Sequence, residues 1–258
     1  MRASPRGLSP GRRFLYAMIF IDAREGLSGD MLLAAMLGLL DEPERTSTVG
    51  LLKKSSAKRG IEFRFMEIEE EGQKGLGIAY VQPEPSSYGV SRDECYARLD
   101  LIEREIDSGS PIGKRILDSI FEAEAEAHAM PLAEVHLHEI GRTQALVNIA
   151  GIGLVSTRLS KGGYEEFVCS TIATGMGVTV VSHGAIRIPS PASTILLRGL
   201  KHEPGGSPGE RATPTGIAAV KTLSRRQAEQ PHEFSKKSVG FGTRRFAGRL
   251  GRTTLLRV

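Results

Sequence analysis

Tryptophan is absent from the sequence, and aromatic residues make up only 5% of its 258 residues, so the core must be largely aliphatic. Only two cysteines occur, Cys95 and Cys169, and so low a number excludes a disulfide framework and a cysteine-based zinc site. Two separated thiols are typical of a protein in the reducing cytoplasm. No apolar run reaches the roughly 18 residues that a membrane-spanning helix needs, so we expect neither a transmembrane helix nor a membrane partner.

The excess positive charge lies at the start of the chain. The formal net charge is +4 at pH 7, and residues 1–17 contain four arginines and no acidic residue, so the rest of the chain is neutral. We interpret 1–17 as a basic leader that is disordered or not translated, with Met18 as a candidate start directly before the first strand.

The neutral remainder is polarised along the chain. Acidic residues dominate 62–139, and basic residues dominate 221–257. We expect these to form two solvated faces that attract each other. The alternative is a basic surface that binds nucleic acid, but few aromatic residues accompany the basic ones, so nucleic acid is not the expected partner.

Hydrophobic periodicity predicts an α/β (α+β) fold, a mixed β-sheet with packed helices. We expect strands at 14–21, 61–68, 76–81, 166–171, 177–181, 185–188, 235–241 and 252–258. We expect helices at 28–40, 44–59, 93–106, 111–129, 139–159, 191–199 and 215–224. The pattern divides the chain into a helix-rich half, 18–160, and a half rich in strands and turns, 161–258.

The first of five polar turns joins the first predicted strand to the first helix. It follows Asp22 and contains the motif GLSGDM at 26–31. The backbone N–H groups of Gly26, Ser28 and Gly29 could bind an anion, and the carboxylates of Asp22 and Asp30 could hold a metal bound to it. The alternative is a plain capped helix.

The second turn carries the motif HLHE at 136–139. Imidazoles at i and i+2 of an extended segment point the same way, so His136, His138 and Glu139 form a compact set suited to zinc or nickel. The alternative is a polar helix start in which these side chains satisfy backbone groups.

The remaining three turns are weaker signals. His183 stands in a tight turn, SHG at 182–184, with the rigid segment PSPA at 189–192 behind it. The fourth turn stands at a helix start, where backbone N–H groups could bind an anion, and it contains Thr213, Thr215 and Gly216. The fifth turn could bind an anion through a guanidinium, and it contains Gly240, Gly242 and Arg244. Five such turns at element ends suggest one shared cleft for an anionic ligand.

These motifs, in this order, resemble those of the nickel insertion proteins called LarC. The resemblance runs from about residue 19 to the end of the chain, and the motifs are specific as a set. It implies that 18–258 is the N-terminal domain of such a protein. That family, formerly of unknown function, inserts nickel into a pyridinium bis-thiocarboxylate mononucleotide, as a lyase (cyclometallase) that uses CTP, to complete the nickel-pincer cofactor of lactate racemase.

The resemblance also implies ligands and partners. Nickel would be held or passed by His136, His138 and Glu139, and Asp22 and Asp30 would place Mg or nickel near the phosphate of a small anionic mononucleotide. The family's CTP site lies on a further C-terminal domain, and this chain stops where the first domain of the family ends. A separate CTP-binding chain is therefore an expected partner, and a homo-oligomer is left open.

The chain departs from the family pattern at several positions. Gln144 and Asn148 stand where the family has two aspartates, Val181 or Ser182 stands in place of a cysteine, and 86–98 lacks the family's histidines. Amides and hydroxyls are poorer ligands for nickel than carboxylates and thiolates. The alternative function is therefore that of a diverged, non-catalytic homologue that binds a nucleotide-like ligand or a partner chain.

Overall fold

A mixed seven-stranded sheet dominates the computed structural model, which describes residues 17–81, 89–181 and 184–258. The strands in these residues are β1 (Ala17–Asp22), β2 (Glu62–Glu70), β3 (Gln73–Val81), β4 (Val90–Ser91), β5 (His136–Leu137), β6 (Tyr164–Cys169), β7 (Ile172–Ala173), β8 (Gly175–Val181), β9 (Gly184–Ile188), β10 (His202–Glu203), β11 (Gly209–Glu210), β12 (Ser224–Gln227), β13 (Lys236–Phe246) and β14 (Arg249–Arg257). The helices are α1 (Gly29–Leu39), α2 (Glu42–Ala57), α3 (Arg92–Glu105), α4 (Ile112–Ala127), α5 (Thr143–Lys161), α6 (Pro191–Leu196) and α7 (Pro214–Leu223).

The large sheet has the strand order β12-β6-β1-β14-β13-β3-β2. β1 is parallel to β6 and antiparallel to β14, β13 is antiparallel to β14 and parallel to β3, and β2 and β3 form a hairpin. The predicted mixed sheet with packed helices is therefore confirmed. Strands from both predicted halves of the chain share this sheet.

Helix α1 is the centre of the core. It packs directly on β13, β3 and β14, and α5 packs against it. Its leucines and methionines are buried on every side, as expected for a helix that is apolar all round, and each fully buried leucine contributes about 1.5–3 kcal/mol. A Cβ at Gly151 of α5 would lie 2.8 Å from the Leu33 side chain, so this glycine lets α5 approach α1 closely.

The core is aliphatic, as the shortage of aromatic residues predicts. The main buried cluster consists mostly of leucine, isoleucine, valine and alanine. Cys95 and Cys169 are both free and buried, as expected. No helix in the described residues is both long and apolar enough to pass through a membrane.

The acidic and basic segments meet at one end of the sheet. Arg245 pairs with Glu70 at 2.6 Å, and Arg249 pairs with Glu71 at 3.0 Å. Each pair joins the end of the β2–β3 hairpin to the β13–β14 hairpin. The expected attraction between the two segments is therefore present as ion pairs.

The predicted elements are found with shifted ends. α5 was expected to begin at 139, but residues 139–142 form a turn in which the Arg142 N–H donates to the Glu139 carbonyl, so the helix begins at Thr143. Strand β13 extends to Phe246, beyond its expected end. The short antiparallel pair β4–β5 was not predicted. The basic leader, apart from Ala17, lies outside the described residues.

Candidate functional site

A cleft of about 480 Å³ collects most of the predicted site residues. Its walls come from the N-termini of α1, α5 and α7, from the segment around β5, from the C-terminal end of α4 and from the β8–β9 hairpin. A volume of this size is typical of small-molecule sites, which measure about 300–1,000 Å³.

The N-termini of α1 and α7 are joined by backbone hydrogen bonds. The Leu27 N–H donates to the Arg211 carbonyl at 2.8 Å, and the Thr213 N–H donates back to the Leu27 carbonyl at 2.9 Å. Thr213 caps α7 by accepting a bond from the Gly216 N–H at 3.3 Å. Two helix N-termini held side by side offer partial positive charge to an anion.

Asp30 stands at the α1 side of this pair. Ser28 is the N-cap residue of α1, but its side chain makes no capping bond, because its hydroxyl donates to the Asp30 carboxylate instead. Burial raises the pKa of Asp30, while the bond from Ser28 and the nearby positive charge of Arg244 oppose that rise. At a given pH, the carboxyl group of Asp30 is therefore protonated to a greater extent than that of an exposed aspartate.

A tyrosine and an asparagine close the cleft beside Asp30. The Tyr80 hydroxyl donates to Asn148 Oδ1 at 2.7 Å. Burial, and then the negative charge of Asp30, raise the pKa of Tyr80 well above its ordinary value, so this phenol is a stable hydrogen-bond donor. Gly29 lies against Thr215 and Asn148, because a Cβ there would be 3.0 Å from Thr215 Cγ2 and 3.4 Å from Asn148 Cβ.

His136, His138 and Glu139 form another wall of the cleft. The His136 ring is oriented by a hydrogen bond between its Nδ1 and the Glu134 carbonyl at 2.8 Å, which leaves Nε2 as the acceptor of the neutral ring. Gly89 lies against both histidine side chains, since a Cβ there would be 2.9 Å from His136 Cβ and 3.1 Å from Cε1 of the His138 ring. Within the described residues no three His, Cys, Asp or Glu side chains lie close enough to hold a metal ion by themselves.

Arg244 and Glu210 form a polar pair at the cleft. Their Nη1 and Oε2 atoms are 3.4 Å apart, and the guanidinium is mostly exposed while the carboxylate is not. Burial raises the pKa of Glu210, with a further contribution from Glu139, and Arg244 opposes the rise.

The predicted site residues divide into those that line the cleft and those that do not. The lining residues are Ser28, Gly29, Asp30, His136, His138, Glu139, Thr213, Thr215 and Arg244. Asp22 does not join Asp30 there, so that expectation is corrected. Asp22 lies at a second cavity of about 130 Å³, and Arg24 binds its carboxylate with a contact of 2.7 Å. His183 lies outside the described residues.

Four predicted glycines, Gly26, Gly216, Gly240 and Gly242, do not line the cleft. Two of them permit close backbone approach. A Cβ at Gly216 would lie 2.5 Å from the Leu27 carbonyl oxygen, and a Cβ at Gly240 would lie 1.9 Å from the Met31 carbonyl oxygen. These glycines hold α1, α7 and β13 together and so set the position of the cleft.

The sequence reasoning missed several lining residues, among them Tyr80, Glu124, His128, Arg142 and Glu210. Glu124 and His128 lie one helical turn apart at the end of α4, with Nε2 and Oε2 3.5 Å apart. Their i, i+4 spacing on an amphipathic helix was a usable signal. Arg142 lies three residues after the HLHE motif, so its position in the chain was also a usable signal, whereas Tyr80 comes from a strand without a polar motif.

The site is thus a polar cleft in an α/β fold, with the joined N-termini of α1 and α7 on one side and a pair of histidines on another. The chain matches the nickel insertion protein family over residues 19–258 and belongs to that family. A provisionally named nickel insertion protein of Geotalea daltonii is 30% identical over 231 residues, which are 87% of this chain and 56% of that protein.

Two further relatives bear the name pyridinium-3,5-bisthiocarboxylic acid mononucleotide nickel insertion protein. That of Thermotoga petrophila is 28% identical over 88% of this chain and 57% of its own length. That of Staphylococcus epidermidis is 30% identical over 80% of this chain and 50% of its own length. The chain thus spans about half the length of these relatives. No solved structure matches it.

Proposed function

We propose that this chain provides the nickel- and mononucleotide-binding part of a nickel insertion protein. The observation that carries the proposal is one cleft with an imidazole pair on one wall and the joined N-termini of α1 and α7 on another. The substrate is the pyridinium bis-thiocarboxylate mononucleotide that the names of two relatives give.

Nickel enters this scheme as a substrate, carried by His136 and His138 with help from Glu139. Imidazole nitrogens suit nickel, and the hydrogen bond to the Glu134 carbonyl orients His136 for coordination through Nε2. Because the protein supplies only a few ligands, positions on the ion remain open. Sulfur atoms of the substrate can therefore replace bound water first and the protein ligands afterwards. An incomplete ligand set therefore suits a protein that passes nickel on.

The phosphate of the mononucleotide binds, in this proposal, at the α1 and α7 N-termini. Ser28, Gly29, Thr213 and Thr215 line that end of the cleft, and Arg244 adds a mostly exposed guanidinium. Asp30 lies beside these groups and places Mg or nickel near the phosphate. The four non-lining glycines contribute by keeping the helix N-termini and the sheet in close contact.

Further features of the proposal extend beyond the cleft. We assign the chain to a LarC-type lyase (cyclometallase) reaction in the cytoplasm, with CTP and Mg acting at a site on a further domain or separate chain, and leave room for a homo-oligomer. The buried state of both free cysteines is compatible with a reducing compartment. The names of the relatives favour nickel insertion over a homologue that binds a nucleotide-like ligand or a partner without chemistry.

Calorimetric titration of the full chain with nickel chloride tests the proposal. The double variant His136→Ala/His138→Ala should bind nickel at least about tenfold more weakly than the parent, which corresponds to about 1.4 kcal/mol. The matched control is His202→Ala/His232→Ala, because these two histidines are exposed and lie outside the cleft. Its nickel affinity should equal that of the parent.

Two results would contradict the proposal. A parent chain without measurable nickel affinity would remove its basis. Equal losses in the two double variants would show that nickel binds exposed imidazoles in general, and not the cleft.

A further inference from the structure

Arg142 places a guanidinium without a partner in the wall of the cleft. It lines the cleft, and its Nε atom is buried without a hydrogen bond. Within the described residues no carboxylate pairs with it, whereas the other arginine of the cleft, Arg244, pairs with Glu210 at 3.4 Å. Arg142 as a whole is only partly buried, but a charged group with a buried N–H that lacks an acceptor is costly, and an anionic ligand would supply a partner for the guanidinium.

The backbone around Arg142 favours an anion as well. Arg142 is the N-cap residue of α5, a helix of 19 residues, and its side chain makes no capping bond. No acidic residue stands in the first turn of α5. In α1, by contrast, the first turn contains Asp30. The positive end of the α5 dipole is therefore not neutralised by an acidic side chain of its own first turn.

The position of Arg142 in the chain indicates which part of a ligand it meets. It follows the histidine wall directly, and its N–H donates to the Glu139 carbonyl at 3.4 Å, so the turn that carries Glu139 also sets the start of α5. The groups that receive nickel must lie beside His136 and His138. In a pyridinium bis-thiocarboxylate these groups are the acid substituents of the ring, whereas the phosphate is at the far end of the molecule.

We propose that Arg142, at the N-terminus of α5, binds an acid substituent of the pyridinium ring and so orients it beside the histidines. This inference rests on the proposed function and deepens it. A planar guanidinium fork matches a planar carboxylate or thiocarboxylate, which it can bind through two parallel hydrogen bonds. Arg142 is thus a specificity residue for the acid form of the ring.

Two commercially available pyridinium mononucleotides test the inference with the full chain. Nicotinic acid mononucleotide and nicotinamide mononucleotide share the pyridinium ring, the ribose and the phosphate. The ring carries a carboxylate in the first compound and an amide in the second. The parent should bind the acid more tightly than the amide. Arg142→Gln should lower affinity for the acid about tenfold and leave affinity for the amide within about twofold, as calorimetry measures. A tenfold change corresponds to about 1.4 kcal/mol.

The matched control is Arg225→Gln, which changes an exposed arginine of β12 outside the cleft and should leave both affinities unchanged. Arg142→Gln removes no hydrogen bond or ion pair within the protein, so its melting temperature should stay near that of the parent. Equal weakening of acid and amide would overturn the inference, because Arg142 would then contact the phosphate. No binding of the acid by the parent, or no loss in Arg142→Gln, would also overturn it.

A nickel titration of the same variant separates the inference from the proposed function. Arg142→Gln should retain the nickel affinity of the parent, because it leaves His136 and His138 in place. If the parent binds no nickel but binds the acid more tightly than the amide, and this preference depends on Arg142, the proposed nickel function is wrong and the role of Arg142 is retained. If nickel binds at the histidines and the acid is not preferred, the Arg142 site fails alone.

Discussion

Gly216→Ala tests whether close backbone contact fixes the position of the cleft. The new Cβ would lie 2.5 Å from the Leu27 carbonyl oxygen and 2.8 Å from the Leu27 carbonyl carbon. Contacts of Cβ atoms are ordinary only beyond about 3.4 Å, so α7 and the segment before α1 must separate by several tenths of an ångström. Both partners are backbone atoms and cannot rotate away.

The cost of this separation follows from the packing around Leu27. Leu27 is fully buried, and the bond from the Thr213 N–H to its carbonyl, now 2.9 Å long, would stretch. Overpacking of this kind costs about 1–3 kcal/mol, and more when a backbone bond is strained. For a chain of this size, in which 1 kcal/mol lowers the melting temperature by about 2–4 °C, we expect a fall of about 2–12 °C.

The matched control is Gly50→Ala in the exposed middle of α2. A Cβ there meets nothing within 4 Å, so the same chemical change should stabilise the protein by about 0.5–1 kcal/mol through helix propensity. Thermal and urea unfolding of both variants measure the difference, and titration with nicotinic acid mononucleotide reports on the cleft. If Gly216→Ala unfolds like the parent, or if Gly50→Ala is equally destabilised, close backbone contact at Gly216 does not fix the position of the cleft.

Two variants test the charges inside the protein. Burial would raise the pKa of Glu105, but bonds from Arg59, Ser55 and Lys58 outweigh it and hold the pKa at about 2. The ionised Glu105 side chain stabilises the fold at pH values above its ordinary pKa near 4.5, and this stabilisation is lost as the pH falls towards 2. Glu105→Gln should therefore lower the free energy of unfolding, measured in urea, by about 1–3 kcal/mol at pH 7 and by little near pH 2. An unchanged difference at both pH values would contradict this. Burial raises the pKa of Asp30, so its ionised form costs stability once the pH rises through that raised value. Asp30→Asn should therefore unfold at a higher urea concentration than the parent at pH 7, and this gain in stability should vanish below the ordinary aspartate pKa near 3.8. A gain in stability that is larger at low pH would contradict this prediction.

The regular elements could be predicted because their signals are local. The run of apolar residues after Ser28 and Asp30 defines α1, and alternation along β2 and its hairpin partner defines that pair. The β4–β5 pair could not be predicted in this way. Each of these strands has two residues, and Val90 pairs with Leu137, so only the folded chain brings them together.

The candidate site was predictable to the extent that its residues cluster in the chain. His136 and His138 were found because they stand in one motif, and they do face the cleft. Tyr80 reaches the same cleft from β3, which carries no such motif, and tertiary packing alone places it there, whereas Arg142 follows the histidine motif by three residues and its role was overlooked.

Glycine-rich turns carried an ambiguous signal. A glycine beside a helix start occurs where a ligand approaches the backbone, and also where another backbone does. In this protein Gly29 lines the cleft, whereas Gly216 and Gly240 lie against backbone atoms of neighbouring elements. Nothing in the local sequence separates the two cases, because the approaching atoms belong to distant segments.

Nickel binding at the histidine wall of the cleft can be observed directly. Crystals of the full chain soaked with nickel chloride, measured at the nickel absorption edge, would locate the ion directly by anomalous scattering. We expect one dominant peak inside the cleft, in direct contact with an imidazole nitrogen of His136 or His138. A dominant peak at His202 or His232, with none at the histidine wall, would contradict it.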